Sequence, residues 1–222
     1  MGKYENGAFG SFHGKVGNLV GSTWKGISYM KAKPKTGNKK ASANQIKHRA
    51  KFMFATHFIQ PLYPIVQVGF RKLDDKKTPK NAAMSEIMNY TITGEYPEFG
   101  INFRNLKLAK GCLPVPKSIT IQLNENRVVF NWLQDTGSED EIEEDALIKE
   151  RSEDKIMLVT LAYGYPPIYT LHKYRRADLS GNVGLPDAPP GTEVHCYIAA
   201  TSVGKNMNVS NSVYAGSVII PE

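Results

Sequence analysis

Ser118-Ile-Thr-Ile-Gln-Leu-Asn-Glu-Asn-Arg-Val-Val-Phe-Asn-Trp132 decides the fold class of this 222-residue chain. Ile119, Ile121 and Leu123 alternate with polar residues, a short Asn-Glu turn follows, and Val128, Phe130 and Trp132 resume the alternation. A period of two on both sides of a turn predicts a β-hairpin with one face toward a core. Downstream, Lys155 to Tyr163, Tyr169 to Tyr174, Thr192 to Ser202 and Val213 to Ile220 supply four more strand-like runs, separated by Gly, Pro, Asn and Asp turns. Six or seven short antiparallel strands in about 100 residues predict a β-sandwich of immunoglobulin or fibronectin type over 117–222, with Trp132 as the large core residue of an early strand. Between the second and third runs, Glu139 to Asp154 carries nine acidic residues against Lys149 and Arg151, which reads as a solvated loop or short helix.

Upstream of the hairpin the period changes. Cys112-Leu-Pro-Val-Pro116 is a proline-broken crossing, and the stretch 41–116 before it reads as helical. Ser42-Ala-Asn-Gln45 fits a capping box. Ile46, Ala50, Met53, Phe54, His57 and Phe58 then fall at three- and four-residue steps, predicting one apolar helical stripe that ends near Pro61. Pro61 to Phe70 is apolar enough for a second, short helix, since proline is tolerated in a first turn. After the polar stretch Arg71 to Lys77, Thr78-Pro79 is an N-cap followed by proline at the first helical position, and Ala82, Ala83, Ile87 and Met88 continue a third helix toward Gly94. Helices two and three read as a small hairpin. Gly94-Glu-Tyr-Pro97 and Phe99-Gly-Ile101 are turn and extended signals. The fold class expected is therefore α+β.

Residues 1–40 have a different composition, with eight glycines between Gly2 and Gly37 and lysine at 3, 15, 25, 31, 33, 35, 39 and 40. Val16 to Val20 and Ser22 to Lys33 carry β-branched and aromatic residues. Trp24 stands two before Gly26, and Tyr29, Lys31 and Lys33 follow at a period of two. A strand pair, or one strand bent at a glycine, is predicted. Glycine in a strand leaves room for close approach and weakens a strand that stands alone, so this arm calls for a partner.

Charge divides along the chain as composition does. Residues 1–117 hold 20 Lys and Arg against 6 Asp and Glu, while 118–222 hold 8 against 15. Opposite-signed halves can hold a polyanion through the basic half, or stack head to tail with a second copy. No apolar run approaches the roughly 18 residues of a membrane helix. The start, Met1 to Gly7, lacks the apolar stretch of a signal peptide, so synthesis and folding in the cytoplasm are expected, with later release or signal-independent export left open. Cys112 and Cys196 lack CxxC spacing and read as small buried residues.

The stretch Gly14-Lys-Val-Gly-Asn-Leu-Val-Gly-Ser-Thr-Trp-Lys-Gly-Ile-Ser-Tyr-Met-Lys-Ala-Lys-Pro34 resembles the signature of an uncharacterised family common in Bacteroidota. The likeness continues through Asn44-Gln45, Phe58-Ile-Gln-Pro-Leu62, Asn81-Ala-Ala-Met84 and Thr93-Gly-Glu-Tyr-Pro97. Members carry only a domain-of-unknown-function label. The resemblance implies a bacterial origin and transfers no activity or site residue.

Catalytic motifs are not apparent. The five histidines lack HxxxH spacing, and His195-Cys196 in a strand points to opposite faces. The acidic run lacks the alternating ligands and central glycine of a calcium loop. Gly14-Lys-Val-Gly-Asn-Leu-Val-Gly21 lacks the GK[ST] ending of a phosphate loop. The expectation is a protein that is not an enzyme, with no cofactor, metal or small-molecule substrate. Its function is self-assembly into a filament or shell through the arm, by strand addition, with Val16, Leu19, Val20, Trp24, Lys25, Ile27, Tyr29, Lys31 and Lys33 meeting the neighbour. The alternative is sequence-independent nucleic-acid binding, since lysines interleaved with Trp24 and Tyr29 combine phosphate-neutralising charge with stacking faces.

Overall fold

The computed structural model describes residues 3–4, 10–34, 40–71, 77–133, 152–203 and 208–221. Most of the basic linker expected at 34–40, the centre of the polar stretch at 71–77 and the acidic run as far as residue 151 lie outside the described residues. The fold is α+β, mostly antiparallel sheet with three α-helices among the described residues, in two compact units, Met1–Ser42 and Ala43–Glu222. The expected boundary at 40/41 lies next to this division. The one expected at 116/117 runs inside the larger unit, because helices and strands there share a core.

The smaller unit is a four-stranded antiparallel meander, in the order β1 (Lys3–Tyr4), β2 (Phe12–Val16), β3 (Leu19–Trp24) and β4 (Ile27–Ala32).

The larger unit begins with α1 (Ala43–Ile59), α2 (Tyr63–Gly69) and α3 (Pro79–Glu86), followed by one π-helical turn over Ile87–Thr91. Thr78 caps α3 as its sequence predicts: its Oγ1 accepts from the Asn81 N–H at 3.3 Å, with Pro79 at the first helical position. The α1 stripe is a correction. Ala55 and Ile59 are its buried residues, whereas Ile46 is 45% and Met53 61% exposed. Among the described residues the buried positions of α1 are confined to its last turns, at Ala55 and Ile59, and the apolar stripe that runs through Ile46 and Met53 is left on the surface. Gly94-Glu-Tyr-Pro97 lies in a hairpin of β5 (Ile92–Glu95) and β6 (Glu98–Ile101).

Seven strands follow: β7 (Lys117–Asn124), β8 (Arg127–Leu133), β9 (Lys155–Ala162), β10 (Ile168–Arg175), β11 (Ser180–Gly184), β12 (Glu193–Thr201) and β13 (Val213–Ile219). They form a four-stranded sheet, β10-β9-β12-β13, and a three-stranded sheet, β11-β8-β7. The hairpin read at Ser118–Trp132 is β7–β8, with its turn at Glu125-Asn126.

Both faces of the four-stranded sheet are covered. Ile156, Leu158 and Ala162 of β9, with Val194, Cys196, Ile198 and Ala200 of β12, join Val128, Phe130 and Trp132 of β8 in one core. The intervening residues Met157, Val159, Leu161, Tyr197 and Ala199 join Ile59, Leu62, Ile65, Phe70 and Ile87 of the helical region in a second core. Alternation along a strand sends successive side chains to opposite faces. An unbroken apolar run such as Ile156–Val159 is what two-sided burial requires.

Trp132 is 2% exposed, and its Nε1–H donates to the Arg176 carbonyl at 2.8 Å. Replacing so large a core side chain by alanine costs about 3–5 kcal/mol. Arg176 is itself buried. Its Nη2 donates to the Pro114 carbonyl at 2.8 Å and lies 3.6 Å from Asp154 Oδ2. The last residue of the acidic run is therefore not solvated, because its carboxylate is 6% exposed and faces a buried guanidinium. That pair ties the 112–116 crossing to the start of β9 and the end of β10.

Candidate functional site

Two-residue loops build the glycine-rich sheet. Lys25 (φ 47°) and Gly26 (φ 80°) connect Trp24 to its cross-strand partner Ile27, the left-handed pair of a type I′ hairpin turn. Gly17, at φ 56°, and Asn18 connect Val16 to its partner Leu19. The run Val16–Val20, expected as a strand, thus contains a turn, and Ser22–Lys33 is the strand pair. Gly14, at φ 101°, bends β2 so that the Phe12 carbonyl passes over Gly21. A Cβ on residue 21 would lie 2.0 Å from that oxygen, and no residue but glycine fits.

Register sorts the expected contact residues into faces, since directly paired residues share a side. Val20 pairs with Lys31, Ser22 with Tyr29 and Trp24 with Ile27, so Val20, Trp24, Ile27, Tyr29 and Lys31 share one face. Val16 and Leu19 pair on the other, where Met30 joins them opposite Gly21. Lys25 stands in the turn. Lys33 follows β4 and donates its backbone N–H to Asn18 O at 2.8 Å.

Exposure is high on both faces: Trp24 53%, Ile27 69% and Met30 65%, with Val16, Leu19 and Tyr29 also exposed. Lys31 Nζ lies 5.9 Å from the centroid of the Tyr29 ring, within cation–π range. β4 is an edge strand. Residues 22, 24, 27 and 29 pair through the narrow hydrogen-bonded positions set by the two-residue turn, which directs the peptide groups of Ser28, Met30 and Ala32 away from β3.

The larger unit carries a recess of about 360 Å³ between α1 and the turn after β9, lined by Phe54, Phe58, Pro61, Leu161, Tyr163 and Tyr165 among others. Its aromatic surroundings continue inward. The Phe58 and Tyr163 rings each lie 6.4 Å from Phe103, and Phe103 stacks on His195 at 3.9 Å. His195 Nδ1 is 3.2 Å from the Tyr214 hydroxyl. Burial holds the imidazole below its ordinary pKa, and the Glu193 carboxylate opposes this. Cys196, on the opposite face of β12, is buried in the other core and its thiol is pushed up to about 12. Cys112 is exposed, contrary to the expectation that both cysteines are buried, because the proline-broken crossing runs along the surface there. Among the described residues no three His, Cys, Asp or Glu side chains gather at metal-binding distance, and no helix is long and apolar enough to cross a membrane.

A family model matches residues 11–216, spanning β2 to β4 of the glycine-rich sheet and nearly all of the larger unit. The chain belongs to a family of unknown function (DUF6266). No curated protein matches it.

Two features of this DUF6266 chain have no counterpart among the residues singled out in its sequence. Met30 alternates with Tyr29 and Lys31, and only the register shows that it completes an apolar face with Val16 and Leu19. The recess joins Phe54–Pro61 to Leu161–Tyr165, about a hundred positions apart in the sequence. Phe54 and Phe58 gave a signal at helical spacing, but that signal reads equally as core.

Proposed function

We propose that this DUF6266 chain is a non-catalytic structural subunit that binds copies of itself through the sheet of residues 12–33. Residues 43–222 are then a body of immunoglobulin-like sandwich type backed by helices, and the Gly14–Pro34 resemblance favours a bacterial source. One observation carries the reading: a four-stranded sheet with large apolar side chains exposed on both faces and an edge strand with outward-facing peptide groups. Units of about 40 residues rarely supply their own core, and a partner is the usual remedy. Strand addition at β4 uses the peptide groups of Ser28, Met30 and Ala32, with side chains on alternate faces giving specificity.

A second reading has one observation in its favour. Lys31 beside Tyr29, on the face that carries Trp24, suits a stacked, phosphate-paired single strand.

Sedimentation across a concentration series tests the first reading. The full chain is expected to gain mass with concentration, while residues 43–222 alone stay monomeric. Met30→Pro removes an outward N–H without breaking a β3–β4 pair and should also weaken assembly. A full chain that stays monomeric throughout, or a truncated one that assembles equally well, ends the proposal. Adding a single-stranded oligonucleotide to the same runs separates the alternatives, since nucleic-acid binding must weaken steeply with salt.

A further inference from the structure

We infer that a polar cleft between the π-helical turn and the start of β13 binds a phosphate monoester carried on a planar ring, of which a nucleoside monophosphate is the plainest kind. The inference goes beyond the assembly reading and does not depend on how copies meet. The cleft has a volume of about 500 Å³, inside the range of small-ligand sites, roughly 300–1,000 Å³. Three separate stretches of chain converge on it. Glu86 and Tyr90 come from the end of α3 and the π-helical turn, and Ser212 from just before β13. Arg104, Lys107 and Lys110 come from the 3₁₀ turn Phe103–Asn105 and the residues after it. Backbone hydrogen bonds hold the three together. The Asn102 N–H donates to the Thr91 carbonyl at 2.8 Å, and the Ser212 N–H to the Ala109 carbonyl at 2.9 Å. Asn102 Oδ1 accepts the Arg104 N–H at 3.1 Å. A frame fixed in this way loses little freedom when a ligand arrives.

Charge selects the ligand. Glu86 is the one carboxylate lining the cleft among the described residues, and it is ion-paired with Lys110. Arg104 and Lys107 are exposed, line the same concavity and have no ion-pair partner among the described residues. A cleft with one sign of charge in excess concentrates counter-ions. Two cations match one phosphate monoester, which carries about −1.5 to −2 charges near pH 7. The planar guanidinium fork can take two phosphate oxygens at once. Ser212 adds a donor, because its Oγ accepts the Leu108 N–H at 2.9 Å and its own proton is left for a ligand oxygen.

Tyr90 supplies the ring face. It is 62% exposed and stands in the π-helical turn, a rare geometry that recurs at functional sites. An exposed phenol ring beside unpaired cations can stack a planar ring while the cations hold its phosphate.

Calorimetric titration of the full chain with adenosine 5′-monophosphate and with inorganic phosphate is the test. Saturable binding of the monophosphate is expected, with inorganic phosphate weaker. Arg104→Gln and Lys107→Gln should each weaken the monophosphate by about tenfold or more, the loss of one charge-assisted hydrogen bond. Tyr90→Leu should weaken it by about fivefold or more and leave inorganic phosphate unchanged, whereas Tyr90→Phe should bind as the wild type. A folding defect would not give that contrast. Lys47→Gln on α1, exposed and outside the cleft, should change nothing. An oligonucleotide with and without a 5′-phosphate identifies the source of the group. A strand that binds only when phosphorylated makes strand ends a source, and no binding of either strand leaves the free nucleotide; both outcomes support the proposal. Equal binding of both strands means that backbone diesters are read, and overturns it. Absence of saturable monophosphate binding, or binding that survives Arg104→Gln combined with Lys107→Gln, overturns it as well. Sedimentation of the same chain decides the assembly reading separately.

Discussion

His195 shows what a single side chain does when two faces of a sheet are both covered. Its neighbour Cys196 enters the core with Trp132 and Phe130, while the imidazole lies flat on Phe103 in the helical core and meets the Tyr214 hydroxyl. Burial disfavours the charged ring, and the carboxylate of Glu193, 3.9 Å away, offsets only part of that. With the folded pKa depressed below an unfolded value of about 6.5, the unfolded chain takes up the proton first as pH falls. Stability is therefore complete above about pH 6.5 and declines as pH drops through that value toward the folded pKa. Urea midpoints between pH 7.5 and 5.5 should fall for the wild type and fall less for His195→Gln. An equal fall in both would show that the histidine is not responsible.

At the scale of elements, glycine decides whether the arm is a sheet at all. The Phe12 carbonyl occupies the position of a side chain on residue 21, so Gly21→Val must push β2 off β3. Overpacking of this kind costs about 1–3 kcal/mol, which corresponds to a loss of about fivefold to about 150-fold in amide protection over residues 12–24. Hydrogen exchange should show that loss with the amides of β9 and β12 unchanged. This hairpin was legible beforehand: Trp24, Gly26 and the two-residue period of Tyr29 and Lys31 are local signals, as are Thr78-Pro79 and the alternation at Val128, Phe130 and Trp132. What local signals do not carry is which neighbour covers a face. The stripe at Ile46 and Met53 has helical spacing yet is exposed, and Arg176 finds Asp154 from 22 positions away. The continuous run Ile156–Val159 did hold information, since a strand apolar at every position needs cover on both sides. That is the reason the helices and the sheet make one unit.

For the whole molecule, the separation of cores matters most. Among the described residues, the two apolar clusters of the larger unit are built from positions 55 to 220. Residues 43–222 should then melt within about 2 °C of the corresponding transition in the full chain, because a change of 1 kcal/mol in a unit of this size moves the midpoint by only a few degrees. Calorimetry of both chains checks this, and a drop of 10 °C on truncation would place the arm among the stabilising elements.

The cysteines set a valence. With Cys196 sealed in a core and Cys112 at the surface, each copy offers one thiol to an oxidant. Oxidation can therefore join copies in pairs and no further, so products larger than a dimer on a non-reducing gel would need a link other than a disulfide. Any series longer than a dimer that forms after the thiols have been alkylated must likewise be held together without sulfur.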